Sequence, residues 1–568
     1  MGPNVYAARE GALLVVAIDD SPHADELFTQ LLVACEAQIR ALMAALQWPT
    51  PTIVARRDGL RASVFASAPI DALMTATEVN EQAWMWAEAG VRSETFTVDI
   101  AGLQSLYDIE HAAQPAAAAV HTEALSRRVT VTFDDETLSV GSGDGSCTWP
   151  LALVPDVDLL PWNAIHDVPV ALVTGSNGKT TTTRLVAAMW RAAGRVAGFC
   201  CSDGVWIDDL PLDSGDYSGP TGARTVLRNT RVQAAVLETA RGGILRRGLA
   251  VHQATAAIIT NIAADHFGEY GVHTLQDLAY AKSVVASALQ DGGCLVLNAD
   301  DSILVQLGTR LPVPCAWFSV ADVHDALDAH VAGGGDAAIV HDGKAWLHVA
   351  QSWHDLGAIA AMPLTLGGAA PYNLANILGA SLLAAVMGAP INAITLTLAT
   401  FGASSLDNPG RLQLWKFGGI TVLIDYAHNP DGLAALCRAA ASLSSRRRLL
   451  VLGQAGDRDN EQLRALVRAA WSVTPFDRVI VKEMPALLRG RSLGDVPAVF
   501  VDALRALGVP DARIDVAPSE LVAIRHALEW ARDGDVLVCP VHIDKALILA
   551  LLEQLRALGW RAGDTLPT

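Results

Sequence analysis

Three short polar stretches, each directly after an apolar run, carry side chains with which this chain could do chemistry. The first is the loop 173–181, Val-Thr-Gly-Ser-Asn-Gly-Lys-Thr-Thr. Its glycines let backbone amides approach phosphate oxygens, Lys179 supplies a positive charge, and the Thr180 hydroxyl can hold a magnesium ion. The general phosphate-loop pattern has a glycine five positions before Gly178, where this chain has Val173. A plain glycine turn between strand and helix is the alternative, but the Gly-Lys-Thr-Thr context favours phosphate binding.

The second and third stretches offer ligands for a metal ion. Glu238 follows the apolar run 232–237. Its carboxylate could hold a metal beside the phosphates or cap a helix, and the residues favour neither role. In the third stretch, Asp265 and His266 follow the apolar run 256–260. That pairing favours a metal-ligand role for His266 over a structural one.

Three further polar positions lie downstream. Lys282 falls on a helix predicted over 275–289, where a lysine is ordinarily solvated. Arg411 could close on a phosphate or be an ordinary hinge residue. Asp425 follows a strand predicted over 420–424, which again places a polar group at a strand end.

Short apolar runs that alternate with helical stretches predict the fold that positions these groups. The phosphate loop should open a helix over 182–191, and Asp342-Gly343 predicts a hairpin-like insert over 337–349. The central predicted strands are 168–173, 232–237 and 256–260. Ligands bind at the carboxyl ends of strands in open α/β sheets, so the three polar stretches should line one crevice. A second α/β series, with predicted strands 420–424, 448–452, 479–481 and 536–539, indicates a separate C-terminal domain.

The first 160 residues have a different pattern. Two amphipathic segments, 24–46 and 70–89, precede a strand–turn–strand pattern at 128–140, and a proline-punctuated connector follows. We therefore expect an N-terminal α+β domain. The expected division is 1–160, 161–406 and 407–568.

Length and charge limit the classes of function. A chain of 568 residues is too long for one hydrophobic core, and its 51% hydrophobic content is typical of globular proteins. With 41 basic and 60 acidic residues the net charge is −19, which argues against nucleic-acid and anionic-membrane partners. We expect no membrane-spanning run, no secretory signal and a cytoplasmic location.

Six motifs together resemble the Mur ligase superfamily. They are T-G-S-N-G-K-T-T at 174–181, E-T-A-R-G-G at 238–243, N-I-A-A-D-H at 261–266, N-A-D-D at 298–301, P-G-R at 409–411 and D-Y-A-H-N-P at 425–430. From about residue 165 onward the chain is most similar to the Mur-ligase-like half of the cyanophycin synthetases, and the first region resembles their N-terminal domain. The resemblance implies a central P-loop ATPase domain with a parallel sheet, a C-terminal Rossmann-like domain and ATP-dependent amide-bond formation.

The resemblance also implies roles for individual side chains. Lys179 and Thr180 would bind phosphate and Mg²⁺, and Glu238 and His266 would hold a second Mg²⁺. Lys282 falls where many Mur ligases carry a carbamylated lysine that supports this metal. The implied nucleotide-binding residues are Gly175, Asn177, Gly178, Lys179, Thr180, Thr181, Asn373, Asn376, Arg411 and Asp425, with the two later asparagines on the adenine side. The implied substrate-binding residues are Arg241, His428 and Asn429.

This chain departs from the cyanophycin synthetases in three places. No ATP-grasp domain separates the N-terminal and Mur-like parts, so the aspartate-adding reaction is not expected. The stretch 73–77 lacks the histidines of a zinc-binding cluster that the family often carries. Cys-Pro-Val-His-Ile at 539–543 replaces the G-K-G-H-E ending of some Mur ligases.

We therefore expect a ligase that uses ATP and Mg²⁺ to make an acyl phosphate. The expected partners are an amino acid such as arginine and a small or cyanophycin-related acceptor, with an aspartyl carboxylate as the reacting group and homo-oligomers possible. A non-catalytic binding or scaffold subunit and a nucleotide hydrolase or kinase remain alternatives. The first region could dock a peptide or a neighbouring subunit, or simply pack on the rest.

Overall fold

The computed structural model describes residues 2–113, 116–264, 267–268, 270–321 and 325–567. Within these residues the backbone forms four β-sheets, two of three strands, one of eleven and one of six. The two larger sheets are mixed but mainly parallel and carry helices on both faces. The α/β fold class expected from the sequence is confirmed.

The first region contains two small antiparallel sheets, of order β1-β3-β2 and β4-β5-β6. Its elements are β1 Gly11–Ala17, α1 Ala24–Ala45, β2 Ile53–Asp58, β3 Arg61–Ser67, α2 Leu73–Val91, α3 Ile100–Ala113, α4 Ala117–Ser126, β4 Val131–Phe133, β5 Thr137–Val140 and β6 Cys147–Pro150. The two predicted amphipathic segments and the strand–turn–strand pattern are confirmed.

Helix α1 differs from the expectation that no apolar run is long enough to span a membrane. By length and composition it is the one helix of the described chain that could cross a membrane. Its buried residues include Phe28, Leu31, Cys35, Ile39 and Leu42, which recur at helical spacing and form one stripe. Residues of that stripe share a core with β3 and α2, as expected of a packed helix in a globular domain.

The eleven-stranded sheet forms the centre of the molecule and has the order β10-β9-β8-β11-β7-β12-β13-β14-β15-β16-β17. Its strands are β7 Val170–Thr174, β8 Ala197–Cys201, β9 Gly204–Ile207, β10 Leu210–Ser214, β11 Ala234–Glu238, β12 Ala254–Ile259, β13 Leu289–Asn298, β14 Cys315–Ser319, β15 Ala337–His341, β16 Lys344–Val349 and β17 Ser352–Ala358. Its helices are α5 Lys179–Ala192, α6 Pro220–Leu227, α7 Arg241–Arg247, α8 Leu275–Ser283, α9 Ser302–Gly308, α10 Asp325–Ala332, α11 Pro371–Val386 and α12 Ile391–Thr400. The strands β7, β11 and β12 are adjacent, mainly apolar and almost entirely buried, so the polar residues at their ends meet at one sheet edge.

Two sequence expectations need correction here. The helix predicted over 275–289 ends at Ser283, continues as a 3₁₀ turn over Val284–Ala288, and gives way to β13. The predicted hairpin at 337–349 exists, but β15 pairs in parallel with β14. The hairpin therefore extends the main sheet and is not an insert.

The C-terminal region forms the six-stranded sheet, of order β18-β19-β23-β20-β21-β22. Its strands are β18 Gln413–Phe417, β19 Ile420–Asp425, β20 Arg448–Leu452, β21 Arg478–Lys482, β22 Ile514–Ala517 and β23 Val536–Pro540. Its helices are α13 Pro430–Ala441, α14 Asn460–Trp471, α15 Asp495–Ala506, α16 Glu520–Trp530 and α17 Lys545–Ala557. Only β18 runs antiparallel within this sheet, and the four predicted strands are confirmed.

Candidate active site

The loop between β7 and α5 requires glycine at two positions. Gly175 has φ +148°, and a Cβ there would lie 1.9 Å from the Thr260 hydroxyl oxygen. Gly178 has φ +83°, and a Cβ there would lie 2.1 Å from Oδ1 of Asn376. Both positions therefore exclude a side chain, by backbone conformation and by contact. The loop packs against its neighbours on one side and lines the cleft on the other, as phosphate binding requires.

The stretch after β12 holds this loop in place. The Asn177 amide donates to Oδ1 of Asn261 over 3.0 Å, and the Thr260 hydroxyl donates to the Asn177 carbonyl over 2.6 Å. Lys282 donates from Nζ to the Gly175 carbonyl over 2.7 Å and is only 3% exposed. The interpretation of Lys282 as a solvated side chain is therefore wrong, because its amine is buried and supports the loop through this hydrogen bond.

Lys179, Thr180 and Glu238 lie together at the start of α5. The Thr180 hydroxyl donates to Oε2 of Glu238 over 2.8 Å, and Nζ of Lys179 donates to the Ser176 carbonyl over 3.0 Å. Burial raises the pKa of Glu238, and the charges of Lys179 and Arg411 oppose that rise. No side chain caps α7, so the capping alternative for Glu238 is wrong.

The Thr180 hydroxyl and the Glu238 carboxylate are hard oxygen donors that fit Mg²⁺. Mg²⁺ in phosphate-transfer sites usually takes one or two protein oxygens and completes its shell with water and phosphate. Within the part of the chain that the structure describes, no three His, Cys, Asp or Glu residues are grouped to hold a metal alone. Asp265 and His266, predicted as the third polar stretch, lie outside the described residues.

Arg411 reaches this group from the segment that enters the C-terminal sheet. Its Nη2 donates to the Ser202 hydroxyl over 2.9 Å, and its guanidinium lies 4.4 Å from the centre of the Tyr426 ring. Burial would lower the pKa of Arg411, but the carboxylates of Asp203 and Glu238 outweigh that effect and raise it. The guanidinium is therefore a permanent positive charge at the phosphate-loop side of the cleft.

Asp425 faces the same space from the end of β19. Its oxygens accept from the backbone amides of Leu412 and Ala427, each over 2.7 Å. Burial raises the pKa of Asp425, and Arg411 opposes that rise. The carboxylate thus fixes the two segments that flank the cleft.

Two asparagines bridge the phosphate loop to the C-terminal region. Nδ2 of Asn429 donates to Oδ1 of Asn177 over 2.9 Å, and Nδ2 of Asn177 donates to Asp431 over 3.1 Å. Oδ1 of Asn429 also accepts from the Gly432 amide and caps α13. His428 lies one residue earlier, with its ring 5.2 Å from that of Tyr426.

Asn373 and Asn376 lie on the first turns of α11, beside Gly178. Nδ2 of Asn376 donates to Oδ1 of Asn373 over 3.1 Å, and Nδ2 of Asn373 donates to the Leu364 carbonyl over 3.0 Å. Both side chains are buried at the wall of the cleft. Their amides are ordered by each other and by the backbone.

The central and C-terminal sheets enclose a cleft of about 1020 Å³. The structure places all but one of the described site residues of the sequence analysis along it, namely Gly175, Asn177, Gly178, Lys179, Thr180, Thr181, Glu238, Arg241, Lys282, Asn373, Asn376, Arg411, Asp425 and His428. Asn429 is buried just behind the lining and acts on it through Asn177.

Sequence reasoning missed an ion-pair cluster that joins the two sheets. Lys545, at the start of α17, donates to Asp203, which also lies 3.5 Å from a nitrogen of Arg184. The charges of Arg411 and Lys545 lower the pKa of Asp203 against the effect of burial. Asp203 follows β8, so the strand-end rule could have found it; Lys545 carries no local signal.

A second missed cluster supports the segment that follows β23. Nζ of Lys482 pairs with Glu520 and donates to the Pro540 carbonyl over 2.7 Å. Glu520 also accepts from the backbone amides of His542, Ile543 and Asp544 at 2.8, 2.7 and 2.6 Å. These contacts hold the stretch 539–543 that replaces the glycine-rich ending, so a buried carboxylate fixes the loop leading to Lys545.

Comparisons with known proteins identify two domains in this chain. The model of the Mur ligase middle domain matches residues 173–384, and that of the Mur ligase, glutamate ligase domain matches 410–540. The cyanophycin synthetase of Trichormus variabilis is 38% identical over 398 residues, which are 70% of this chain and 44% of that protein. The chain thus matches less than half the length of that relative.

Two further matches are more distant. The UDP-N-acetylmuramoyl-L-alanyl-D-glutamate–2,6-diaminopimelate ligase of Chlorobaculum tepidum is 27% identical over 66% of this chain and 72% of that protein. The structure of a pseudomurein peptide ligase type C from Methanothermus fervidus aligns over 69% of this chain and 82% of that one, with 17% identity and a TM-score of 0.47. The two matched domain models, in this order along the sequence, show that the chain belongs to the Mur ligase superfamily.

Proposed function

We propose that this protein is an ATP-dependent carboxylate–amine ligase that works through an acyl phosphate. The observation that carries the proposal is the meeting of Lys179, Thr180 and Glu238 with Arg411 in one cleft. Membership of a superfamily of amide ligases supports it. A scaffold protein would not need a buried carboxylate kept beside a phosphate loop.

The first step would make the acceptor carboxylate electrophilic. One of its oxygens attacks the γ-phosphorus of ATP, the bond to the ADP oxygen breaks, and an acyl phosphate forms. The loop amides and Lys179 would orient the phosphates, and Arg411 would offset the negative charge that develops. Mg²⁺ held by Thr180 and Glu238 would neutralise phosphate charge.

The second step would form the amide. The amine nitrogen attacks the acyl carbon, the carbon–oxygen bond to phosphate breaks, and phosphate leaves with one oxygen of the original carboxylate. The amine loses its proton to a base or to the departing phosphate. The Asn177, Asn429 and Asp431 contacts would hold the C-terminal region over the intermediate and exclude water from it.

The proposed substrates are an amino acid such as arginine and a small or cyanophycin-related acceptor with an aspartyl carboxylate. Sequence likeness to a cyanophycin synthetase over 70% of this chain supports this choice. We also propose that residues 1–160, 161–406 and 407–568 are separate domains, since each range contains whole sheets.

An ADP-release screen tests the proposal. Amino acids are crossed with carboxylate acceptors in the presence of ATP and Mg²⁺, and products are identified by mass spectrometry. We expect ADP and amide in equal amounts for at least one pair. In Lys179→Ala the rate should fall by about 100-fold or more, because a charge at the phosphates is lost.

The exposed Lys416 on β18 provides a matched control. Lys416→Ala should keep the wild-type rate. ADP release without any amide product would identify a nucleotide hydrolase, and wild-type turnover by Lys179→Ala would also refute the proposal.

A further inference from the structure

A row of arginines leads from the cleft across the surface of the central sheet. Arg241, Arg246 and Arg247 lie on α7 and line the cleft. Thr221, on α6, lines both this cleft and a neighbouring one of about 370 Å³ that Arg224 also lines. We call these four arginines the arginine row.

Two members of the arginine row, Arg246 and Arg247, are accessible to a ligand. Arg246 and Arg247 are exposed. Nε of Arg246 donates to the Gly242 carbonyl over 3.1 Å, and Nη1 of Arg247 lies 3.5 Å from the Thr221 hydroxyl. No carboxylate of the described residues forms an ion pair with either guanidinium. Their charges are therefore not neutralised by the part of the protein that the structure describes.

Arg224 lies near enough to Arg247 to feel its charge. Burial lowers the pKa of Arg224, and Arg228 and Arg247 lower it further, although Asp134 opposes them. Nε of Arg224 lies 3.8 Å from Asp134, which pairs more closely with Arg228. Such a group of cations stands out in a chain of net charge −19, and its two exposed α7 members, Arg246 and Arg247, line the cleft.

We infer that the arginine row binds an acidic peptide, that is, an acceptor with several carboxylates besides the one that reacts. This inference rests on the proposed function and deepens it. The reacting carboxylate would lie near Glu238 and Arg241, and the following carboxylates would pair with Arg246, Arg247 and Arg224. A planar guanidinium forks onto a carboxylate with two hydrogen bonds, which suits each position.

Kinetics with acceptors of different length test the inference. The probes are blocked aspartate, with one carboxylate, and blocked hexa-aspartate, each with arginine and ATP. In the wild type we expect the KM of hexa-aspartate to be more than about tenfold lower than that of blocked aspartate, as several exposed ion pairs together provide. In Arg246→Gln/Arg247→Gln this ratio of KM values should fall about tenfold.

The matched control removes the same charge elsewhere. Arg195 and Arg310 are exposed and do not line the cleft, so Arg195→Gln/Arg310→Gln should keep the wild-type ratio. An unchanged ratio in the row variant, or an equal fall in both variants, would overturn the inference.

A binding measurement separates this inference from the proposed function. Fluorescence anisotropy of labelled hexa-aspartate reports binding whether or not any ADP is released. We expect about tenfold weaker binding to Arg246→Gln/Arg247→Gln than to the control, with affinity falling as salt rises. Equal affinity of the two variants for hexa-aspartate would overturn the inference about the arginine row, even if the protein proves to be a ligase.

Discussion

At the level of single residues, the phosphate loop depends on the absence of side chains. Gly178 combines a positive φ with a neighbour, Asn376, that leaves no room for a Cβ. Gly194 follows the same helix and has φ +77°, yet nothing lies within 4 Å of the place a Cβ would take. Alanine substitutions at these two glycines therefore distinguish the effect of backbone strain from that of steric contact.

We predict that Gly178→Ala abolishes nucleotide binding and that Gly194→Ala does not. Both substitutions carry the strain of a positive φ, about 1 kcal/mol, but only the first also pushes Asn376 and α11 away from the loop. Titration with a fluorescent ATP analogue measures the difference. Equal effects of the two alanines would contradict the steric cause.

At the level of elements, the loop between β23 and α17 is held by charges buried within the C-terminal region. Lys482 and Glu520 are almost fully buried, and His542 lies with Nδ1 3.1 Å from Nζ of Lys482. Burial, followed by the Lys482 charge, lowers the pKa of His542 to about 4. The loop carries Lys545 to Asp203, so its stability affects how the two sheets meet.

We predict that His542 makes the protein less stable in acid. The unfolded histidine takes up its proton near pH 6.5, while the native one does so near pH 4. The contribution of His542 to the free energy of unfolding is therefore complete above about pH 6.5. It falls by about 2 to 3 kcal/mol as the pH drops towards 4.

Urea unfolding at pH 7 and pH 4.5 measures this loss. His542→Asn should lose less stability between the two pH values than the wild type does, by about 2 kcal/mol. The exposed His526 on α16 is the control, and His526→Asn should behave as the wild type. The same loss in all three proteins would contradict the prediction.

At the level of the whole molecule, local patterns predict the strands and strand ends but not the contacts between regions. The crevice at the ends of β7 and β11 follows from apolar runs and the strand-end rule. The pairing of Asn177 with Asn429 joins residues 252 positions apart, and no periodicity encodes it. The helical pattern around Lys282 predicts a helix, but it does not predict that the face carrying Lys282 is buried against the phosphate loop.

The division of labour between the two large regions explains why the cleft lies between them. The central sheet supplies the phosphate loop and Glu238, and the C-terminal segment supplies Arg411 and Asp425. The two regions are also joined by the ion pair between Lys545, on α17, and Asp203, which follows β8. Such an arrangement suits a reaction in which an activated carboxylate must be kept from water until an amine arrives.

The transfer of labelled oxygen tests the central claim most directly. An acceptor found in the ADP-release screen is prepared with ¹⁸O in its reacting carboxylate and turned over with ATP and an amine. Because phosphate leaves the acyl phosphate with one carboxylate oxygen, we predict one ¹⁸O in each phosphate released by the wild type. Phosphate without ¹⁸O, formed together with amide or ADP, would contradict the acyl-phosphate route.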